Sequence, residues 1–438
     1  MKHNIKIFLL LAILASSFSE VRSQVLQIFE GRSYNPVELD NLDVISFDLD
    51  KDLMILQESN GNTKSFKFND SSNYVIGKSI PLINLTTTEY VEEISSKTTY
   101  LEGTFFLQGF GEFEDIERDV NIRGRGNSSW EFIKKPYRLK FDKKVSLCGL
   151  PSAKNYVLLA NFMDCSLIQN ALAFKIGAML GLPYTNKAVP VDVVLNGIYK
   201  GSYLLTNKPG INAGSVDIDE NNSIMWELDV VFDEDLKFKS PVFDLPVMVA
   251  DPSEMDEGTF EYWKNDFIEM EKAVYNRKAV DYVDLEIAAK YLVVYEILRN
   301  DEIGYPKSFK MYKTKGKKYI FGPLWDFDVA MGKIWLGECY NPNKIDKPLW
   351  KNNLLSNLSL DPIFKEYFTI NLKFIIDKIP ELIIFIDDYS KEIRDSAVRN
   401  QMLYPEYEDF DQSVIKLKDW LKKRSEILKT LYSLMEIV

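Results

Sequence analysis

The sequence has almost no histidine: its only one, His3, lies in an amino-terminal segment that we expect to be removed. Without imidazole, a protein cannot use a Ser-His-Asp or Cys-His mechanism, an HExxH zinc site or a histidine proton shuttle. The chemistry that remains open is that of carboxylates, lysine and arginine, with or without a metal bound through oxygen atoms.

Cysteine is also scarce, with Cys148, Cys165 and Cys339 at unrelated spacings. An odd number of cysteines without metal-ligand spacing predicts neither a disulfide framework nor a zinc site. At most one bridge can form, and the sequence leaves open which cysteines pair, including whether Cys148 and Cys165 do so.

No apolar run is long enough to span a bilayer. Residues 7–14 are apolar but too few, Lys2 and Lys6 flank the start of that run, and residues 21–23 offer a cleavage site before Gln24. This pattern predicts a secretory signal peptide over residues 1–23. We therefore expect an exported protein, periplasmic, at the cell surface or secreted, with no integral membrane segment after signal removal.

Positive charge is in deficit, since 53 Lys and Arg face 65 Asp and Glu for a net charge of -12. This balance argues against a nucleic-acid partner, which would need a basic surface. With 46% hydrophobic and 13% aromatic residues, the chain has the composition of a globular protein with a large core.

The chain divides into two parts by pattern. Residues 24–82 carry short alternating runs and a hairpin turn at residues 60–62, which predicts a small β-rich unit. Residues 83–438 have longer strands first and helical periodicity from Asp256 onward, so the fold class is α+β. Gly109 and Gly111 resemble the start of a phosphate-binding loop, but a lone GxG is weak and a hairpin turn is the favoured interpretation.

The most informative stretch is residues 291–332. An apolar helix over residues 291–298 ends in a polar loop at residues 299–302, and two short strands follow, joined at Lys315-Gly316. The second strand leads to the acidic segment at residues 325–328. Two acidic clusters, one after a helix and one after a hairpin, can therefore meet at one end of a sheet and hold a divalent cation, as phosphoryl transfer requires.

Basic residues between the early strands suggest a phosphate site. Arg125 lies among closely spaced glycines that can form an anion-binding nest, although a basic turn is an equal alternative. Arg138 and Lys140 lie on one face of a strand, where they could meet phosphate or form a solvated edge. Glu227 and Asp229, also on one strand face, could bind metal, lie on a solvated surface or pair with the basic strand.

Several segments resemble the secreted CotH kinase-like proteins, whose archetype is a bacterial spore-coat kinase. They cover roughly residues 83–332 in the family's order. The matching segments are IRGRGNSSW (122–130), KKPYRLKFDKK (134–144), NYVLLANFMD (155–164), VVLNGIYKGSYLLT (193–206), WELDVVFDE (226–234) and PKSFKMYK with GPLWDFDVAMG (306–332).

The resemblance implies an atypical protein-kinase-like fold that binds ATP with Mg²⁺ or Mn²⁺ and phosphorylates Ser/Thr of an extracytoplasmic protein. An acid after Asn300, either Asp301 or Glu302, would be the catalytic base. Asp326 would be the principal metal ligand with Asp328 beside it. Charge and strand phase add Arg125, Arg138 and Lys140 as phosphate-binding residues.

The chain departs from the family pattern at identifiable positions. The family usually has Asn-x-Asp where this chain has Asn300-Asp301-Glu302, often Arg-Asn where it has Gln169-Asn170, and usually glutamate at Asn207. These departures keep a second function class open, a catalytically silent kinase-fold binding or scaffold protein at the cell surface. A metal-dependent hydrolase using the same acids is a third, weaker alternative.

Overall fold

The structure is a computed structural model that describes residues 25–435 except 31–32, 49, 68–71, 78, 334–338, 350 and 407. The signal peptide predicted over residues 1–23 lies outside the described residues. The two units predicted from the sequence, residues 24–82 and 83–438, are described from Val25 onward.

The first part of the chain forms two small antiparallel sheets. In order, their strands are β1 Val25–Glu30, β2 Ser33–Glu38, β3 Leu42–Asp48, β4 Leu53–Glu58, β5 Thr63–Lys67 and β6 Ser72–Gly77. One sheet has the order β2-β1-β6 and the other β3-β4-β5. Leu26, Met54 and Phe66 contribute to a small shared core. The turn predicted at residues 60–62 joins β4 to β5, with Gly61 in the left-handed region.

A closed barrel follows. Its strands are β7 Leu82–Thr87, β8 Leu101–Gln108, β9 Ile116–Gly124, β10 Tyr137–Val145, β11 Ala153–Leu159, β12 Ala188–Leu195 and β13 Ile198–Asn207, in the order β10-β11-β13-β12-β7-β8-β9. Gly109 and Gly111 lie between the antiparallel strands β8 and β9, so the hairpin interpretation is confirmed. Asn196 and Gly197 have φ of 48° and 80°, as a type I′ turn requires. Apolar side chains fill the barrel interior.

A second, five-stranded sheet lies downstream. Its strands are β14 Ser223–Leu228, β15 Lys237–Lys239, β16 Pro246–Asp251, β17 Phe309–Thr314 and β18 Ile320–Phe321, in the order β15-β16-β14-β17-β18. The hairpin of β17 and β18 is the one predicted around Gly316, whose φ of +74° suits glycine. Through β14 and β17, this sheet places residues 226–228 beside residues 309–311.

Helices complete the fold. Within the described residues they are α1 Gln169–Met179, α2 Glu257–Tyr275, α3 Leu285–Leu298, α4 Asn353–Leu358, α5 Pro362–Asp377, α6 Ile379–Leu403 and α7 Phe410–Met435. Helix α3 is central, since 11 of its 14 residues are buried. Asp284 caps its first turn by accepting a hydrogen bond from the Ile287 N–H, and Arg424 of α7 forms a buried ion pair with its Glu296.

The α+β class, with a β-rich first part and helices toward the carboxyl end, is confirmed. Among the described residues, no helix combines the length and apolarity needed to cross a bilayer.

Candidate functional site

A cleft of about 460 Å³ lies between the barrel and the second sheet. Its basic lining residues, most of them supplied by the barrel, are Lys97, Arg123, Arg125, Arg138, Lys208, Lys307 and Lys310. Its acidic lining residues, supplied by the second sheet and the loops around it, are Glu227, Asp229, Asp233, Glu234, Glu302, Asp326 and Asp328. The cleft therefore has one predominantly basic wall and one predominantly acidic wall.

Apolar neighbours hold the acidic segment after β18 in place. Trp325 and Phe327 are buried, and the Phe327 ring lies 4.7 Å from that of Tyr295 on α3. Because these rings pack into the core, the intervening Asp326 and the following Asp328 remain at the cleft. The two acids that the sequence assigns to a metal thus line one surface.

Asp326 and Asp328 differ in their surroundings. Asp326 has a left-handed backbone, with φ of 65°, and its Oδ2 accepts a hydrogen bond from Ser308 Oγ at 3.2 Å. Loss of solvent around the half-buried Asp328 carboxyl, with the nearby negative charges of Asp326 and Glu302, raises its pKa well above the ordinary value.

The two candidate catalytic bases are adjacent in sequence but lie in different places. Glu302 lines the cleft, is 5% exposed and accepts a hydrogen bond from Lys307 Nζ at 2.8 Å on Oε1. Asp301 is outside the cleft lining and pairs with Arg299 Nη1 at 2.8 Å and Lys344 Nζ at 3.4 Å. The structure therefore favours Glu302 over Asp301 for contact with a ligand in the cleft.

Burial tunes the acidity of Glu302. Its desolvation, together with the negative charge of Asp326, raises its pKa to about 7 in spite of the ion pair with Lys307. Its Oε2 makes no hydrogen bond. A buried carboxylate with one free oxygen and a pKa near neutrality can accept a proton from a bound hydroxyl group.

Asn300 connects the two acidic clusters. Its Nδ2 donates to the Asp326 carbonyl oxygen at 3.1 Å, and its Oδ1 accepts from the Glu302 N–H at 3.1 Å. Helix α3 delivers it there because Arg299 leaves the helix in the left-handed region, with φ of 52°. The meeting of the two clusters, expected from the sequence, is thus made through Asn300.

Two further acids line the cleft. Glu227 forms an ion pair with Lys310 at 2.5 Å, and the two residues are cross-strand partners on β14 and β17. Asp229 accepts backbone hydrogen bonds from Val231 at 2.8 Å and Ser308 at 3.0 Å. Burial raises the pKa of Asp229. The sequence left open whether these acids bind metal, lie on a solvated surface or pair with the strand that carries Arg138 and Lys140. Glu227 forms an ion pair, but its partner is Lys310 on β17.

The basic wall contains two of the three residues predicted to face phosphate. The Arg125 guanidinium lies 5.4 Å from the Trp325 ring, and burial lowers its pKa against the opposing effect of Asp326. Arg138 donates to Asn155 Oδ1 at 3.0 Å. Lys140 is exposed, 5.7 Å from the Tyr100 ring, and does not line the cleft.

Sequence reasoning did not single out Lys208, Lys307 and Lys310. Burial and the nearby Arg138 charge lower the pKa of Lys208 to about 8. Lys310 alternates with apolar residues in a buried strand, and a lysine in such a run is costly unless it is paired. That pattern could have drawn attention to Lys310. The identity of its partner, Glu227, is set by the register between β14 and β17.

The number and type of side chains available as ligands decide which kind of divalent-cation site the acids of the cleft can form. Among the described residues, no group of three or more His, Cys, Asp and Glu side chains is arranged to hold a metal ion. Magnesium in nucleotide sites is usually held by one or two carboxylates together with substrate phosphates. The pair Asp326 and Asp328 fits that kind of site, opposite a basic wall that fits phosphate.

Comparison with known proteins gives one family. A family model described as CotH kinase protein matches residues 122–428, from β9 to α7, which is most of the chain. The match spans both walls of the cleft except Lys97. No curated protein matches the chain significantly.

Proposed function

This chain belongs to the CotH kinase protein family, and from that premise we propose that it transfers the γ-phosphate of ATP to Ser or Thr of an extracytoplasmic protein. The observation that carries the proposal is the cleft itself, where a basic wall faces Asp326, Asp328 and the buried Glu302. Phosphoryl transfer depends mainly on positioning and charge neutralisation, which such a cleft provides. The proposal includes an atypical kinase-like fold and export through the predicted signal over residues 1–23.

The phosphate chain would lie along the basic wall. Arg125 and Arg138 would bind phosphate oxygens, and Lys208 would strengthen its charge as an anion approaches, because its lowered pKa reflects burial beside another cation. Asp326 and Asp328 would hold Mg²⁺ or Mn²⁺, which when bound neutralises phosphate charge.

Glu302 would accept the proton of the acceptor hydroxyl. Glu302 lines the cleft, its buried Oε2 makes no hydrogen bond, and its pKa of about 7 lets it be ionised near neutral pH while remaining basic enough to take a proton. Lys307, bound to Oε1, would keep the carboxylate oriented. Asp301 has no such role, since its carboxylate is held by Arg299 and Lys344.

A matched pair of variants tests this assignment. The protein without its predicted signal segment is incubated with ATP labelled on the γ-phosphate, Mg²⁺ or Mn²⁺, and extracytoplasmic protein as acceptor. We expect Glu302→Gln to lower labelled-protein formation about 10²–10⁴-fold and Asp301→Asn to retain most of it. Equal activity in Glu302→Gln and the unmodified protein would refute the base assignment.

The same assay, combined with a measurement of nucleotide binding, separates the other function classes. Nucleotide binding without transfer, in the unmodified protein, would point to the catalytically silent binding protein. Release of labelled phosphate to water with no labelled protein would point to a hydrolase. Asp326→Ala should abolish metal-dependent nucleotide binding while leaving the fold intact, and unchanged binding would remove the metal role from Asp326.

A further inference from the structure

Two buried asparagines hold the same peptide group of the candidate metal site. Asn300 Nδ2 donates to the carbonyl oxygen of Asp326 at 3.1 Å. Asn170, in the first turn of α1, accepts a hydrogen bond on Oδ1 from the Phe327 N–H at 2.9 Å. That carbonyl and that N–H belong to one peptide bond, so side chains from two separate parts of the fold fix the plane of a single peptide group.

The amides of both asparagines are themselves oriented by second hydrogen bonds. Asn170 Nδ2 donates to Asn161 Oδ1 at 3.0 Å, which leaves Oδ1 for the Phe327 N–H. Asn300 Oδ1 accepts from the Glu302 N–H, which leaves Nδ2 for the Asp326 carbonyl. Neither asparagine can rotate its amide without losing two hydrogen bonds.

The held peptide lies where the backbone is unfavourable. Asp326 has φ of 65°, a conformation that residues other than glycine adopt uncommonly. Phe327 is fully buried, while Asp326 and Asp328 on either side of it line the cleft. Hydrogen bonds at both ends of the peptide offset the backbone strain and keep both acids facing the same space.

We infer that Asn170 and Asn300 are positioning residues that hold Asp326 and Asp328 toward the cleft. Asn300, through its bond to the Glu302 N–H, also fixes the proposed base relative to those acids. The inference rests on the proposed function for what the acids bind, but the hold on the peptide is a separate statement that can be tested without ligand.

The chain offers a matched control in Asn352. It is also buried, its Nδ2 donates to the Ile303 carbonyl at 2.9 Å, and its Oδ1 accepts from the Leu355 N–H at 3.0 Å. Its pair of backbone hydrogen bonds resembles that of Asn300, but neither reaches Asp326 or Phe327. Asn352→Ala therefore reports the effect of losing a buried asparagine that bonds the neighbouring turn but not the peptide between Asp326 and Phe327.

The first measurement is amide hydrogen exchange without ligand in the Asn170→Ala, Asn300→Ala and Asn352→Ala variants. We expect faster exchange in peptides that cover residues 326–328 for the first two variants. The Asn300→Ala result is the sharper one, because Asn300 does not itself bond the Phe327 N–H. Unchanged exchange there in Asn170→Ala and Asn300→Ala, or equal acceleration in Asn352→Ala, would overturn the inference.

The second measurement is thermal melting at fixed ATP over a range of Mn²⁺ concentrations. Removing groups that orient metal ligands typically lowers metal affinity about 10–100-fold. We expect Asn170→Ala and Asn300→Ala to need at least about tenfold more Mn²⁺ for half-maximal stabilisation, with Asn352→Ala unchanged. The positioning role would be overturned if both variants needed the same Mn²⁺ concentration as the unmodified protein, or if Asn352→Ala showed an equal shift.

The two measurements fail separately. If ATP and Mn²⁺ together do not stabilise the unmodified protein, the proposed function fails, and the role of the asparagines toward a metal fails with it. Faster exchange at residues 326–328 in Asn170→Ala and Asn300→Ala would then still support the hold on the peptide.

Discussion

Glu271 gives the protein a pH-dependent stability that can be measured apart from any activity. It lies on α2 with no solvent exposure, and its Oε1 accepts a hydrogen bond from Ser240 Oγ at 2.6 Å. Burial raises its pKa from 4.5 to about 7, because desolvation outweighs the hydrogen bonds from Ser240 and from the backbone of Val242 and Phe243. The folded protein therefore holds a proton that the unfolded chain has already released.

The sign and size of the pH dependence of the unfolding free energy follow from this difference in bound protons. Between pH 4.5 and about 7 the folded state binds about one proton more than the unfolded state, so the unfolding free energy falls as pH rises. Each pH unit contributes about 1.4 kcal/mol, and the whole interval about 3 kcal/mol. Below pH 4.5 this dependence is absent, and above about pH 7 the loss is complete.

Glu271→Gln keeps the shape of the side chain and removes the ionisation. Melting temperatures of the variant and the unmodified protein should be compared at pH 5, 6, 7 and 8. We expect the variant to gain relative stability as pH rises, by roughly 5–10 °C in total for a cooperative unit of 150–250 residues.

Glu269→Gln is the matched control, because Glu269 is on the same helix, about half exposed and paired with Lys272. It should show no comparable trend with pH. A constant difference between Glu271→Gln and the unmodified protein across this range would show that Glu271 ionises normally, and the burial argument would be refuted.

Three other predictions follow from the site and the core. Changing both Cys165 and Cys339 to serine removes their disulfide, and we expect a loss of about 2–5 kcal/mol in unfolding free energy by denaturant titration; no change would contradict a stabilising bridge. Mg²⁺ alone should not move the melting temperature, whereas ATP with Mg²⁺ at a hundred times the dissociation constant should add about 2.7 kcal/mol to the unfolding free energy. A shift with metal alone would contradict a two-carboxylate site. Glu296→Gln should cost about 3–5 kcal/mol in the same titration by leaving Arg424 buried without a carboxylate, and the further change Arg424→Met should recover part of it; no recovery would contradict this reason.

Features set by neighbouring residues were predictable from the sequence. Helix α3 ends at Leu298, as predicted, and begins at Leu285, where Asp284 caps its first turn. The Asn196-Gly197 turn fixes the β12–β13 hairpin through local backbone preference. The meeting of the acidic clusters followed from the same local signals, since a helix end and a hairpin end both lead to short turns.

Features set by distant pairing were not predictable. The Glu227–Lys310 ion pair depends on the register between β14 and β17, whose residues are far apart in the chain. The disulfide joins Cys165 and Cys339 across 174 residues and leaves Cys148 buried and free. A one-residue change of register would reverse the faces of a strand, so side-chain patterns alone cannot supply such pairs.

Strand phase and turn geometry decided the remaining site residues. Arg138 and Lys140 share a face of β10, but only Arg138 lines the cleft. Asp301 and Glu302 are adjacent, yet the turn after Arg299 sends their carboxylates to different partners. The sequence singled out both pairs, and the three-dimensional arrangement distinguishes their members.

Burial disfavours the charged forms of the titratable side chains on both walls of the cleft. Burial lowers the pKa of Arg125, Arg138 and Lys208 on the basic wall. It raises the pKa of Asp229, Glu302 and Asp328 on the acidic wall.

Each wall therefore favours the arrival of opposite charge. A metal ion alone would balance only the acids, and a nucleotide alone only the cations. A nucleotide carrying a divalent cation presents both charges in the order in which the walls are placed. If the cleft binds ATP and metal as we propose, their binding should consequently be cooperative, with each raising the affinity for the other by the same factor.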